Sequence, residues 1–205
     1  MHPEILNTGQ QALLPFLKQY SKKYYLVGGT ALALHIGHRE SLDFDLFTET
    51  IPSFTTIKKE ISESGFKSHL ILQLDDQVHF MINNIKLTFF QYPFAINAII
   101  RYENFFRMPD LITLAAMKAF ALGGRGKWKD YVDLYFILKH HYPAKEIVKK
   151  ANELFAGVFN PGLFLKQICY FKDIRYDEPV QFMPGFEVND EEVKAFLTDA
   201  ALTGF

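Results

Sequence analysis

The chain has 205 residues and a mass of 23.7 kDa, a length typical of one domain or of one domain with a small helical addition. Hydrophobic residues make up 49% of it and charged residues 22%, which excludes intrinsic disorder, collagen and low-complexity sequence. The net charge of −1 excludes a global positive field, so contact with nucleic acid or nucleotides requires a local basic patch. The single cysteine, Cys169, excludes an internal disulfide and a multi-cysteine metal site.

No segment has the pattern of a targeting or membrane-spanning sequence. The N-terminus lacks a basic stretch followed by an apolar one. The longest apolar run, at 111–122, is interrupted by Lys118 and is too short to cross a bilayer. We therefore expect a cytoplasmic protein without a membrane partner.

The first half of the chain has the spacing of alternating helices and strands. In chain order the predicted elements are a helix at 5–18, a strand at 24–27, a helix at 31–36 capped by Thr30, a strand at 42–47, a helix at 54–64, and strands at 69–74, 78–82 and 85–91. The connections at 75–77 and 83–84 are short and polar, so we expect the last three strands to form an antiparallel meander.

Beyond Pro93 the pattern becomes helical. Segments 110–123, 128–140 and 190–202 are amphipathic, and a further helix can start at Asn160 or Pro161. The sequence therefore predicts the α+β fold class, with a mixed sheet flanked by helices at 1–93 and a C-terminal helical bundle at 94–205.

Two acidic residues on one predicted strand are the first candidates for chemistry. Asp43 and Asp45 alternate with Leu42, Phe44 and Leu46, so both carboxylates project from one face with Cα atoms roughly 6–7 Å apart. Unpaired carboxylates at that spacing repel each other, and a divalent cation removes the repulsion. Because carboxylate oxygens are hard ligands, Mg²⁺ or Mn²⁺ is the expected ion.

A glycine turn precedes this strand by one short helix. Gly28 and Gly29 lack a Cβ and so allow a phosphate to approach the backbone, while the helix that follows offers free N–H groups. Thr30 adds a hydroxyl at the same point. The order Gly-Gly-Thr, helix, Asp-x-Asp predicts a metal–triphosphate site; an ordinary turn followed by a solvent-exposed acidic strand is the alternative interpretation.

Three segments resemble the nucleotidyltransferases of the AbiEii/AbiGii toxin type, which belong to the DNA polymerase β-like superfamily. They are YLVGGTALAL at 25–34, GHRESLDFDLF at 37–47 and KAFALGGRGKWKDYVDLY at 118–135. The resemblance covers most of the chain and has its motifs in the family's order. It implies a polymerase β-like nucleotidyltransferase domain followed by a helical C-terminal domain.

The resemblance also implies a role for each matching residue in the first two segments. Gly28, Gly29 and Thr30 match the phosphate-binding turn, and Asp43 and Asp45 match the catalytic, metal-binding carboxylates. Before the acidic strand, Arg39 lies in a loop where it can contact phosphate or pair with a neighbouring acid.

In the third segment the resemblance implies nucleotide-binding residues. Lys118 matches a helix lysine that faces the nucleotide phosphates. Lys129, Asp130 and Asp133 match a later motif that contacts ligand or aligns the catalytic half; ion pairing on one helical face is the structural alternative. The basic run 125–129, with Arg125, Lys127 and Lys129, is either a solvated loop or a contact for triphosphate or an RNA backbone.

The sequence departs from the superfamily pattern at one position. A third carboxylate, expected on a neighbouring strand, is replaced by Thr88 in the strand at 85–90. Threonine neither carries a charge nor accepts a proton near neutral pH. Another acid can substitute, among them Asp75, Asp76 and Glu103; otherwise the reaction is slow, or the protein binds nucleotide without turnover.

These features predict a metal-dependent nucleotidyltransferase that moves a nucleoside monophosphate from a nucleoside triphosphate to an acceptor hydroxyl. The resemblance implies the toxin of a toxin–antitoxin or phage-defence pair, with RNA or protein as acceptor and an antitoxin protein as partner. The alternative is a non-catalytic nucleotide- or partner-binding module that has lost the third carboxylate at Thr88. A small-molecule nucleotidyltransferase would differ only in its acceptor.

Overall fold

The chain forms two compact units in the computed structural model, which describes residues 1–124 and 126–203. The first unit is Met1–Asp110 and the second begins at Leu111. The sequence predicted the boundary between the two parts of the chain at Pro93 instead, because the stretch after Pro93 lacks clear strand periodicity. A two-stranded antiparallel sheet occupies part of that stretch, and it belongs to the first unit.

The first unit combines three α-helices with seven strands in its described residues. They are α1 Thr8–Leu17, β1 Tyr25–Val27, α2 Gly28–Ile36, β2 Phe44–Thr48, α3 Phe54–Glu63, β3 Ser68–Gln73, β4 Gln77–Ile82, β5 Ile85–Gln91, β6 Ile100–Tyr102 and β7 Phe106–Met108. Five of the strands form one mixed sheet in the order β1-β2-β5-β4-β3. Strands β2 and β5 are parallel, and the other neighbours are antiparallel, including the predicted meander β3-β4-β5.

The sheet has one apolar and one mixed face because apolar and polar residues alternate along its strands. In β2, Phe44 and Leu46 are fully buried, whereas Asp45 is half-buried. In β4, Phe80 is buried and its neighbour His79 is half-buried. The mixed face therefore presents the polar side chains of β2, β4 and β5 together.

The helix after the glycine turn starts earlier than the sequence predicted. It begins at Gly28, with Val27 as its N-cap, so Thr30 lies inside the first turn and does not cap the helix. Gly28 has φ = +72°, a left-handed conformation that glycine adopts without a Cβ penalty and that lets β1 pass directly into α2. Gly37, at φ = +78°, ends the helix in the way common for a C-terminal glycine.

The second unit is helical. Its helices are α4 Leu111–Leu122, α5 Trp128–His140, α6 Ala144–Leu154, α7 Pro161–Ile168 and α8 Asp190–Thr203. The sequence did not predict α6, although Ile147 and Ala151 share a buried stripe there at helical spacing. In the described segments of both units, no helix has the length and apolarity needed to span a membrane. The α+β class predicted from the sequence is confirmed.

Candidate active site

Gly28 and Asp45 are in direct contact at the junction of β1 and α2. Val27 pairs with Asp45 across the antiparallel β1–β2 ladder, which brings the carboxylate to the start of the helix. A Cβ built on Gly28 would collide with Oδ2 of Asp45. The predicted phosphate turn and one of the two predicted metal ligands are therefore adjacent in space, although they are far apart in the sequence.

Gly29 lies against the loop that leads to the acidic strand. A Cβ at Gly29 would lie 2.8 Å from Nη2 of Arg39 and 2.8 Å from Oγ of Ser41. Arg39 is only 1% exposed, and its Nη1 donates a hydrogen bond of 2.9 Å to the backbone oxygen of Glu40. The Arg39 side chain is thus packed inside the first unit, where its positive charge lies beside the turn.

The Thr30 hydroxyl is used to hold that same loop. It donates to the backbone oxygen of Asp43 and lies 3.1 Å from Oγ of Ser41, and the residue is 2% exposed. These hydrogen bonds tie residues 41–43 to α2, so the strand begins at Phe44 and Leu42 is left 43% exposed. The structure therefore gives Thr30 a positioning role for Asp43.

Asp43 is partly exposed and has a basic neighbour that the sequence analysis did not single out. Nζ of Lys86 lies 2.8 Å from Oδ2 of Asp43, with side-chain exposures of 31% and 37%. The alternation of apolar and polar residues in β5 puts Lys86 and Thr88 on the mixed face of the sheet. That alternation was the available signal, but the pairing of β5 with β2 was needed to interpret it.

Thr88 occupies the position next to Asp45. The parallel register pairs Asp45 with Thr88, and the antiparallel register on the other side pairs Thr88 with His79. Asp45, Thr88 and His79 therefore form one cross-strand row on the mixed face. His79 was not singled out from the sequence, because its place in this row depends on both registers.

The acids considered as substitutes for the third carboxylate lie in turns. Asp75 and Asp76 lie in the turn between β3 and β4. The backbone N–H of Gln91 donates a hydrogen bond to the backbone carbonyl oxygen of Asp76. Glu103 lies in the tight turn between β6 and β7. Among residues 1–124 and 126–203, no group of three or more His, Cys, Asp and Glu side chains is arranged to hold a metal ion.

His79 is held by one hydrogen bond and is influenced by the charges in its row. Its Nε2 lies 2.8 Å from Oε1 of Gln77. Burial lowers the pKa of His79, and the positive charge of Lys86 lowers it further, while Asp45 and Asp43 oppose the shift. The direction of this shift favours the neutral ring.

In the second unit, Lys118 lies in a buried cluster with two aspartates. Its Nζ is 2.7 Å from Oδ1 of Asp130 and 2.7 Å from Oδ2 of Asp133, and all three side chains are at most 5% exposed. The sequence-predicted motif is thus assembled by the packing of α4 against α5. Within it, the predicted phosphate lysine is engaged by the acids of the later motif.

The lysines of the basic run share one acidic partner. Nζ of Lys127 lies 2.7 Å from Oε1 of Glu178, and Nζ of Lys129 lies 3.2 Å from Oε2. The hydrogen bond from Lys127, with the charges of both lysines, lowers the pKa of Glu178 to about 2. Arg125, the remaining member of the run, lies outside the described residues.

The chain is similar in sequence to a known protein family and to a protein of another organism. The profile of the family described as "Nucleotidyl transferase AbiEii toxin, Type IV TA system" matches residues 16–107 and 92–200. An uncharacterised protein of Aquifex aeolicus (strain VF5) is 32% identical over 189 residues, which cover 85% of this chain and 88% of that protein.

Solved structures share the fold at low identity. A protein of H. pylori described as a nucleotidyltransferase superposes with a TM-score of 0.64 at 17% identity, covering 98% of this chain and 95% of that one. The nucleotidyltransferase toxin MenT4 of Mycobacterium tuberculosis H37Rv has a TM-score of 0.59 at 13% identity, covering 95% and 82%. The family match spans both units, and the resemblance inferred from the sequence is confirmed: the chain belongs to the AbiEii family of nucleotidyltransferase toxins.

Proposed function

We propose that the chain transfers a nucleoside monophosphate from a nucleoside triphosphate to the hydroxyl of an RNA or protein acceptor. The observation that carries this proposal is the contact between Gly28 and Asp45, because it puts an anion-binding turn beside a carboxylate that can hold a divalent cation. A triphosphate with its metal ion requires both at once. The family match supports the same chemistry.

The phosphates would bind at the N-terminus of α2. Val27 makes no side-chain capping bond there, and the first turn of α2 contains no acidic residue of its own. The aligned peptide dipoles add partial positive charge at this end of the helix, and the buried Arg39 guanidinium lies beside Gly29. An anion is therefore favoured at Gly28 and Gly29, with Thr30 fixing the loop behind them.

The donor set suits a divalent cation held jointly with the nucleotide. Asp43 and Asp45 supply two hard carboxylate ligands, so they would hold Mg²⁺ or Mn²⁺ with phosphate oxygens completing the coordination. When bound, such an ion offsets the negative charge of the triphosphate and polarises the α-phosphate. The ammonium group of Lys86 now neutralises Asp43, and it would be released toward the phosphates when the carboxylate binds the ion.

The residues of the second unit would contribute in a different way. Lys118 is held by Asp130 and Asp133 at 2.7 Å, which favours an aligning role for this cluster over direct phosphate contact. The charges of Lys127 and Lys129 are offset by Glu178, so they favour a weak contact with an acceptor over a strong RNA-binding patch.

The biological role we propose is that of a toxin that acts in the cytoplasm and is controlled by a cognate antitoxin protein. The match to a family of toxins supports this role, as does the shared fold with MenT4, which is itself a nucleotidyltransferase toxin. Expression of the wild type should then arrest growth of a bacterial host, whereas expression of Asp45→Asn should not.

Calorimetric titration and pyrophosphate release test the proposed reaction. We expect at least one nucleoside triphosphate to bind in the presence of Mg²⁺, and pyrophosphate to appear when a cellular RNA pool or protein extract is added. Asp45→Asn should abolish both signals, whereas the turn variant Asp76→Asn should retain them. A wild type that binds none of the four nucleoside triphosphates would contradict the proposal.

A second candidate function has its own observation. Thr88 lies beside Asp45 where a third carboxylate is expected, which favours a module that binds nucleotide without turnover. Metal-dependent binding without pyrophosphate release, with all acceptor pools supplied, would select this candidate.

A further inference from the structure

His79 is the residue on the mixed face that combines a suitable place with suitable chemistry for proton transfer. It lies on β4, directly opposite Thr88 of β5, and Thr88 lies directly opposite Asp45 of β2. Side chains at directly opposite positions project from the same face, with Cβ atoms about 4.5–5.5 Å apart. The imidazole therefore shares one surface with the two carboxylates that would hold the metal–nucleotide complex.

One hydrogen bond defines which ring nitrogen is free to accept a proton. The Gln77 side-chain oxygen Oε1 only accepts hydrogen bonds, so Nε2 of His79, 2.8 Å away, carries the proton of the neutral ring. Nδ1 then holds the lone pair. The contact with Gln77, a neighbour on the same strand, therefore favours the tautomer in which Nδ1 is the proton acceptor.

The charges around the ring favour its neutral form. Burial and Lys86 of β5 lower the pKa of His79, whereas Asp43 and Asp45 of β2 act in the opposite direction. On the other side of β4, strand β3 pairs the uncharged Leu72 with His79. A neutral imidazole at neutral pH is the form that accepts a proton.

We propose that His79 is the general base of the nucleotidyl transfer, in place of the third carboxylate that Thr88 replaces; this inference rests on the function proposed above. The acceptor O–H loses its proton to Nδ1 of His79 as its oxygen forms a bond to the α-phosphorus. The bond from the α-phosphorus to the bridging oxygen breaks, and its electron pair leaves with pyrophosphate. The imidazolium then returns its proton to water.

The other groups on this face are less suited to the task. Asp43 and Asp45 would be committed to the cation, and Lys86 is itself positively charged. Thr88 has only a hydroxyl, which is not a base near neutral pH. Among the described residues of this row, His79 is thus the one whose Nδ1 lone pair has a basicity suited to accepting a proton near neutral pH.

Kinetics of His79→Gln and a matched control test the assignment. With a fixed acceptor, we expect kcat for pyrophosphate release to fall about 10²-fold or more while KM for the nucleoside triphosphate changes little. His69→Gln on the exposed strand β3 removes a histidine from the same sheet and should retain wild-type kcat. Calorimetry with a non-hydrolysable triphosphate should give equal affinities for the wild type and both variants, which shows that His79→Gln keeps a folded binding site.

The pH profile provides a second readout. Since the pKa of His79 is lowered from the ordinary value of 6.5, kcat of the wild type should fall only below that pH. This fall of kcat at low pH, the acidic limb of the profile, should be missing in His79→Gln. A limb that persists unchanged in the variant would assign the titration to another group and overturn the proposal.

A restored carboxylate should replace the imidazole. In the His79→Gln background, we expect Thr88→Asp to raise kcat at least tenfold. Thr88→Asn introduces an amide of the same shape as the Asp carboxylate and should not raise kcat. Wild-type turnover that His79→Gln retains in full would overturn the role of His79 alone. A wild type that binds nucleotide but releases no pyrophosphate with any acceptor would overturn this role together with the proposed reaction.

Discussion

Lys86 Nζ lies 2.8 Å from Asp43 Oδ2, so a protein cation neutralises one of the two carboxylates that would hold a metal ion. A metal ion bound at Oδ2 of Asp43 would displace this ammonium group. In the superfamily pattern the neighbouring strand contributes an acid, whereas here the mixed face of β5 contributes a lysine and a threonine. The electrostatic potential at Asp43 is therefore less negative than two aspartates alone would produce.

Replacing Lys86 should strengthen metal binding to the nucleotide-free protein. We expect Lys86→Met to raise the affinity for Mn²⁺ several-fold, because the competing cation is removed. Stability should change by no more than about 1 kcal/mol, since the pair is partly exposed. Titration with Mn²⁺ followed by electron paramagnetic resonance measures the affinity. Lys59→Met, which removes the exposed pair with Glu63 on α3, is the control and should leave it unchanged.

Because Gly28 contacts Asp45, a single methyl group added at Gly28 should disturb both nucleotide binding and stability. Gly28→Ala would put a Cβ against the Asp45 carboxylate at a φ of +72°, so we expect loss of nucleotide binding and a destabilisation of about 1 kcal/mol or more. Denaturant unfolding and calorimetry measure the two effects.

Gly65 supplies a matched control for the strain alone. It has φ = +75°, and nothing lies within 4 Å of the Cβ that an alanine would add there. Gly65→Ala should therefore show a similar loss of stability with nucleotide affinity intact. Equal loss of affinity in both variants would show that backbone strain, and not the position of Asp45, controls binding.

The buried cluster of Lys118 should be a major determinant of stability in the second unit. Lys118→Met leaves the Asp130 and Asp133 carboxylates buried without their cation, so we expect a loss of about 3–5 kcal/mol in the free energy of unfolding. Combining it with Asp130→Asn and Asp133→Asn should recover part of this loss. Urea unfolding measures both. A stable Lys118→Met protein with strongly reduced nucleotide affinity would instead indicate direct phosphate contact.

The Glu178 carboxylate should make stability sensitive to acid. Its pKa is lowered from 4.5 to about 2 by Lys127 and Lys129, so its contribution is present above pH 4.5 and is lost as the pH falls toward 2. The partly exposed site limits that contribution to about 1 kcal/mol or less. Unfolding free energies of the wild type and Glu178→Gln should differ at pH 6 and converge near pH 2. A difference that persists at the lowest pH would contradict this ionic origin.

The local parts of the site were predictable because their signals lie within a few residues. Glycines at the end of a strand predict a turn, and acids at i and i+2 predict a shared face, so the sequence singled out Gly28, Asp43 and Asp45 as candidates. The sequence also singled out Thr88 on a neighbouring strand, and the parallel register pairs Thr88 with Asp45.

The parts that the sequence did not reveal depend on contacts between distant segments. Lys86 and His79 join the acidic pair only because β5 lies between β2 and β4. The hydrogen bond from Thr30 to Asp43 depends on the path of the loop before β2. The alternation of residues wrongly predicted that Leu42 is a buried strand residue, whereas it is exposed in this loop. Lys118 gave no signal of ion pairing, because its partners lie on another helix.

The loop before β2 is fastened to α2 at consecutive points. Gly28 contacts Asp45 of β2, Gly29 lies against Arg39, and Thr30 bonds to Asp43, so three consecutive residues of the helix terminus contact the loop and the start of the acidic strand. The conformational entropy of arranging them is lost during folding and not during ligand capture. With these groups preorganised, we expect the proposed phosphate and cation contacts to form in a single event. A substitution that removes one of these contacts should therefore weaken the binding of both phosphate and cation. The binding of metal and nucleotide should be cooperative.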